Sequence, residues 1–162
     1  MNFYSRDELL AIGFSHVGED IRVSRRAIFY ATSGRLGDRV RIDDMAIFTG
    51  HIELGDDVHV SPFCFLGGTG GKIVMGNRSG ISTHVSIFTK SDDYGRHTPE
   101  PGSKIEGDVR IDDGTIFGAQ CVILPGAIVG ENCRIGVGSV IQGVVAPGSR
   151  IVSAAIKSVK LA

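Results

Sequence analysis

Large aliphatic and aromatic residues recur along this chain at a step of six. They fall at Leu36, Ile42, Phe48, Leu54, Val60 and Leu66; the step resumes at Met75, Ile81 and Ile87, and again at Ile105, Ile111, Phe117, Ile123, Val129, Ile135 and Ile141. Four residues after most of these stands a small or β-branched residue: Val40, Ala46, Val58, Cys64, Ser79, Val85, Val109, Thr115, Cys121, Ala127, Cys133 and Ser139. A looser copy precedes them at Val17, Val23 and Ala27. A period of six fits neither a 3.6-residue helix nor the strict alternation of a half-buried strand. It predicts an all-β solenoid, in which three six-residue units make one triangular coil. The large residue of each unit points inward, and the small one also points inward, near a corner. Coils stacked ~4.8 Å apart, about seven of them, form a prism roughly 30 Å tall. A single coil leaves its inner face uncovered, so stability comes from stacked neighbours.

The repeat occupies residues 17–150, and both ends depart from it. Ser5-Arg6-Asp7-Glu8 has the spacing of a capping box and predicts a short helix, stopped at Gly13, within a capping segment 1–16. The tail 151–162 loses the pattern and carries Lys157 and Lys160. Inside the repeat there are two breaks. The step widens to nine between Leu66 and Met75, across Gly67-Gly68-Thr69-Gly70-Gly71, and to 18 between Ile87 and Ile105. Both follow the third unit of a coil, so both leave the prism at the same corner, one coil apart. The second predicts a protruding loop over 88–104, which holds Asp92, Asp93, Tyr94 and His97. Polar loops on a rigid scaffold are where ligands are met.

Composition narrows the picture. The chain has 162 residues with 23 Gly and only 5 Pro, which suits tight turns joined to strands and not disorder. No apolar run approaches the ~18 residues of a membrane span, and no signal-like segment opens the chain, so no membrane insertion and a cytoplasmic location are expected. A net charge of −1 without Lys or Arg blocks argues against a nucleic-acid partner. Cys64, Cys121 and Cys133 all fall at the small inward position and are read as core residues, neither nucleophiles nor metal ligands. Among the five His, His59 and His84 occupy outward positions, with His59 assigned to a corner, and His97 lies in the loop. His16 and His51 receive no role.

The repeat resembles the hexapeptide motif of the left-handed parallel β-helix acyltransferases, and that resemblance, not the spacing, supplies the handedness. Asp57-Val58-His59-Val60 and the stretch from Gly80 through Ser91-Asp92-Asp93-Tyr94 resemble the sugar N- and O-acetyltransferase branch with a Ser-Asp-Asp-Tyr loop. The resemblance implies a homotrimer with its active sites between subunits. It implies an acyl-CoA donor such as acetyl-CoA lying against Gly118, Ala119 and Gly136, with Lys157 and Lys160 near its phosphate. It further implies a sugar acceptor, often a nucleotide-linked amino sugar used in surface polysaccharide synthesis.

Acyl transfer needs a positioned nucleophile and a group to take its proton. O-acetyltransferases of this fold carry a His near positions 92–94, and this chain has none there. An amine is already nucleophilic when neutral, so a carboxylate suffices to orient it. Adjacent Asp92 and Asp93 are expected to raise each other's pKa. The catalytic candidates are therefore Asp93, His59 and His84, with Asp92, Tyr94 and His97 as substrate contacts. Three readings compete with the N-acyltransferase: a sugar O-acetyltransferase, a γ-class carbonic anhydrase and a non-catalytic β-helix subunit. The second needs three His around Zn²⁺, two of them close in sequence, and His59, His84 and His97 contain no close pair.

Overall fold

The computed structural model describes residues 2–93, 100 and 102–152. They form a left-handed parallel β-solenoid of about seven coils with one short helix at the N-terminal end. The six-step fixes three faces. The second face is a seven-stranded parallel sheet of two-residue strands: Arg22–Val23, Arg41–Ile42, His59–Val60, Gly80–Ile81, Ile116–Phe117, Arg134–Ile135 and Arg150–Ile151. The third and first faces merge in the lower coils. There the strands Ile28–Leu36, Ile47–Leu54 and Phe65–Met75 run without interruption around the corner between them.

The predicted inward residues form one continuous core. Leu36, Ile42, Phe48, Leu54, Val60, Leu66, Met75, Ile81 and Ile87 are buried, as are Ile111, Phe117, Ile123, Val129, Ile135 and Ile141. So are the small residues at the corners, from Val40 through Ser139. Ile105 is the exception. It is 37% exposed and belongs to an antiparallel hairpin that pairs Lys90–Asp92 with Lys104–Glu106. An 18-residue gap equals three units of six, so Ile105 matches the period while lying outside the prism. The inserted element therefore extends to Glu106, and the solenoid resumes at Val109, opposite Ile73.

Corner chemistry explains the Gly-Asp and Gly-Asn pairs. Between the first and second faces, Asp56 Oδ1 accepts the Asp38 N–H, Asn77 Oδ1 that of Asp56, and Asp113 Oδ1 that of Asn77, each from one coil above. The carboxylate lies so close that a Cβ on Gly76 would stand 2.3 Å from Asp113 Oδ1. Many turns also place a non-glycine residue at positive φ, among them Met45, Phe63 and His84.

The N-terminal helix, Arg6–Ile12, opens with the predicted capping box and closes at Gly13. It buries Leu9 fully in the core, a contribution of about 1.5–3 kcal/mol. Tyr4, Phe14, Phe29 and Phe48 pack as an aromatic cluster in the same lower coils.

Candidate active site

The two breaks leave the solenoid together. Pairing along the third and first faces runs Gly50 to Gly68 and then His51 to Lys72, so three extra residues, 69–71, bulge at that corner. The hairpin leaves the same corner one coil higher, and Thr89 ties the two. Its buried Oγ1 donates to the Gly67 carbonyl and accepts the Gly70 N–H. Its own carbonyl accepts the Gly107 N–H where the chain returns. A loop anchored in this way is held at a fixed height on the scaffold.

Within the hairpin, Asp92 is exposed and ion-paired to Lys104. The Lys104 ammonium holds its carboxyl below the usual range. The mutual raising expected of adjacent acids is therefore not met at Asp92, whose charge is matched by its strand partner. Asp93 is half-buried, its backbone N–H bonded to the Ser103 carbonyl and its Oδ2 accepting from Ser103 Oγ at 3.2 Å. Tyr94 and His97 lie outside the described residues, as do Lys157 and Lys160.

His59 stands on the second face, on the strand His59–Val60, and not at a corner. That face presents two outward columns. One runs Arg22, Arg41, His59, Gly80, Ile116, Arg134 and Arg150, in register from coil to coil. The other, two residues on along each strand, runs Asp43, Ser61, Ser82, Gly118 and Gly136, each N–H bonded to the coil above. Gly80 gives His59 no side-chain neighbour directly above it. Below it on the diagonal lies Asp43, whose Oδ2 is 2.8 Å from His59 Nε2. Asp43 Oδ1 accepts from Arg41 Nε at 2.7 Å. Partial burial opposes the Asp43 charge, but the bonds from His59 and Arg41 outweigh it and hold the carboxyl below its ordinary value. The sequence reading missed Asp43. Its signal was the 18-residue coil, which sets residue 43 directly beneath Ser61 and so beside His59.

His84 lies at the corner between the second and third faces, one coil above His59 and at positive φ. It stacks on Phe63 with ring centroids 5.0 Å apart. Thr83 Oγ1 donates to the Pro62 carbonyl at 2.8 Å and so is left to accept from His84 Nδ1 at 3.0 Å. His51 differs from both. Nδ1 meets Ser33 Oγ and Nε2 meets Glu53 Oε1, each at 3.0 Å, so both ring nitrogens are engaged. The structure thus brings His59 and His84 to one side of the prism at adjacent heights. Asp93 leaves from the corner that bounds the other two faces.

Above these histidines the second face carries a shallow groove of about 380 Å³, lined by Ser82, Ile116, Gly118, Arg134, Gly136 and Arg150 among others. Gly118 and Gly136, two of the expected donor contacts, form part of its floor. Ala119 lies just past it in the turn, where its carbonyl accepts the Gly138 N–H.

The three cysteines are free and buried, and each thiol faces a carbonyl on a neighbouring coil: Cys64 that of Ser82, Cys121 that of Gly136, Cys133 that of Ala146. Burial pushes the Cys64 thiol up to about 11. They are core residues, as read. Among the described residues, no group of three His, Cys, Asp or Glu side chains is placed to hold a metal ion. No helix there is long and apolar enough to cross a membrane.

Comparison with known proteins places this geometry in context. The model for "Bacterial transferase hexapeptide (six repeats)" matches residues 108–143. The dTDP-4-amino-4,6-dideoxy-D-glucose acyltransferase of Escherichia coli is 31% identical over 153 residues, covering 88% of this chain and 79% of that one. A serine-to-cysteine variant of AntD, an N-acyltransferase from Bacillus cereus, was solved with dTDP-4-amino-4,6-dideoxyglucose and coenzyme A. It superposes with a TM-score of 0.78 at 28% identity, covering 98% of this chain and 89% of that one. AntD with dTDP and 3-hydroxybutyryl-CoA superposes with a TM-score of 0.72 at 26% identity, over 98% and 89% of the two chains.

Proposed function

Since the chain belongs to the hexapeptide-repeat acyltransferases of the AntD type, we propose that it transfers an acyl group from acyl-CoA to the amine of a nucleotide-linked amino sugar. The observation that carries this reading is the likeness to N-acyltransferases along nearly the whole solenoid. The acyl donor lies in the groove of the second face. Its pantetheine runs over Gly118 and Gly136 and past Ala119, and its phosphates lie toward Arg134 and Arg150; Lys157 and Lys160 are proposed as further phosphate contacts. The thioester end then reaches Ser82 and the edge of Gly80, above His59.

The hairpin of a neighbouring subunit brings Asp93 to the same height, as the Ser-Asp-Asp-Tyr loop of this branch would. Its carboxylate orients the sugar amine, with Asp92, Tyr94 and His97 bordering the sugar. The neutral amine attacks the thioester carbonyl, and a C–N bond forms as the C–S bond breaks. The proton leaving nitrogen passes to His59, with His84 as the neighbouring imidazole, and then to the departing thiolate. The assembly is a homotrimer, because one chain carries the hairpin and the second-face groove on different sides.

A thioester-release assay tests the reading with acetyl-CoA and 3-hydroxybutyryl-CoA as donors. The acceptors are dTDP-4-amino-4,6-dideoxyglucose, its 4-hydroxy counterpart and free sugars. Release is expected with the amine and not with the matched hydroxyl compound. Turnover only with hydroxyl acceptors would replace the N-acyl reading by the O-acyl one.

A further inference from the structure

We infer that Asp43 is a positioning residue that fixes His59 in the tautomer whose Nδ1 is the proton acceptor. The inference deepens the reading of His59 as the base and rests on it. It starts from an arrangement of three side chains on two adjacent coils. An ionised carboxylate only accepts hydrogen bonds. Asp43 gives one oxygen to Arg41 Nε at 2.7 Å and the other to His59 Nε2 at 2.8 Å. Arg41 stays charged at any working pH, so its bond to Oδ1 does not depend on protonation and favours this orientation of the carboxylate. The second oxygen then requires a hydrogen on Nε2. A neutral imidazole has one N–H, so the lone pair sits on Nδ1. Nδ1 has no partner among the described residues; the register position above His59 is Gly80, which adds no side chain of its own, with the Ile116 side chain leaning over it from the next coil.

This separates three histidines that look alike in sequence. His51 is spent at both nitrogens. His84 is oriented by a neutral hydroxyl on an exposed turn. Only His59 combines a free nitrogen with a buttressed anion behind it. As the ring takes the amine proton at Nδ1 it becomes an imidazolium, and the Asp43 carboxylate on its far side stabilises that charge. Asp43 itself never exchanges a proton with the substrate.

The Asp43→Asn variant reverses the arrangement. Arg41 continues to claim the carbonyl oxygen, so the amide NH₂ faces His59. Nε2 becomes the acceptor, and the hydrogen moves to Nδ1. Long-range ¹H–¹⁵N NMR of the intact protein above the His titration range should show the Nε2–H tautomer for His59 in the wild type and the Nδ1–H tautomer in Asp43→Asn. In the same variant kcat is expected to fall by about 10²-fold or more, with KM for acyl-CoA within twofold. Asp43→Glu should recover part of the loss. A wild-type His59 found as the Nδ1–H tautomer overturns the inference without any variant. Near-wild-type kcat in Asp43→Asn beside an inactive His59→Ala overturns it and leaves His59 as the base. Full activity in His59→Ala removes the base, and Asp43's role with it.

Discussion

A six-residue period specifies the direction of each side chain, and at the scale of single residues that is enough to sort the cysteines. Each falls at the small inward position and each thiol donates to a carbonyl one coil away. Alkylation at pH 8 should therefore be slow in the folded protein and fast only after unfolding, because the Cys64 thiol, held near 11, is almost wholly protonated as well as buried. Cys64→Ala should keep full turnover and lose about 1–2 kcal/mol in a urea titration, from the cavity and the lost thiol bond to the Ser82 carbonyl. Rapid labelling of the native chain, or loss of turnover in a folded variant, would contradict the core assignment. The same period showed that His59 faces outward but not that Asp43 orients it. The two residues are 16 apart, and their contact exists only once the coil length and the faces are both assigned. The raised pKa expected of Asp92 was not met, for a related reason. Its partner Lys104 sits across a hairpin that no inward-facing pattern reveals.

At the scale of elements, what was legible is what closes within a few residues. The capping box spans Ser5 to Glu8 and was visible as a string of letters. Its strength is local first, with a distant residue added. The Ser5 backbone N–H, followed by Arg25, holds the Glu8 carboxyl at about 2, from an ordinary 4.5. A depressed folded pKa means that the ionised form stabilises the helix above pH 4.5 and that this stabilisation is lost as pH falls toward 2. Glu8→Gln should accordingly lower Tm at pH 7, and the gap between variant and wild type should close over that acid window. A gap that stays constant down to pH 2 would mean that the charge contributes nothing. The hairpin was the opposite case. Ile105 keeps the six-step by coincidence, so the sequence placed the end of the insertion two residues early. The structure moves it to Glu106 through antiparallel pairing and the Thr89 anchor.

At the scale of the whole molecule, the candidate site is divided. His59, Asp43 and the groove belong to the second face, whereas Asp93 leaves the corner between the third and first faces. The heights agree: the hairpin follows Ile87, and Gly80 and Ser82 lie on the same coil one face earlier. Matching height on different sides is the arrangement in which a cyclic assembly lets one chain's hairpin meet the next chain's groove. Exposed apolar residues on the upper coils, Ile116, Ile128, Val140 and Val144, give such neighbours surface to bury. Co-expression decides the matter. In the proposed trimer, Asp93→Asn and His59→Ala chains should each be inactive on their own. In a mixed ring, one interface joins an intact hairpin from one chain to an intact second face from the next, and the other two interfaces stay broken. An equal mixture should recover about one quarter of wild-type turnover if each closed ring of three assembles at random. Separately purified variants mixed without subunit exchange should recover none. If the co-expressed mixture is as dead as its parents, although mass measurement shows mixed rings, then Asp93 and His59 serve the same chain and the interfacial site is wrong.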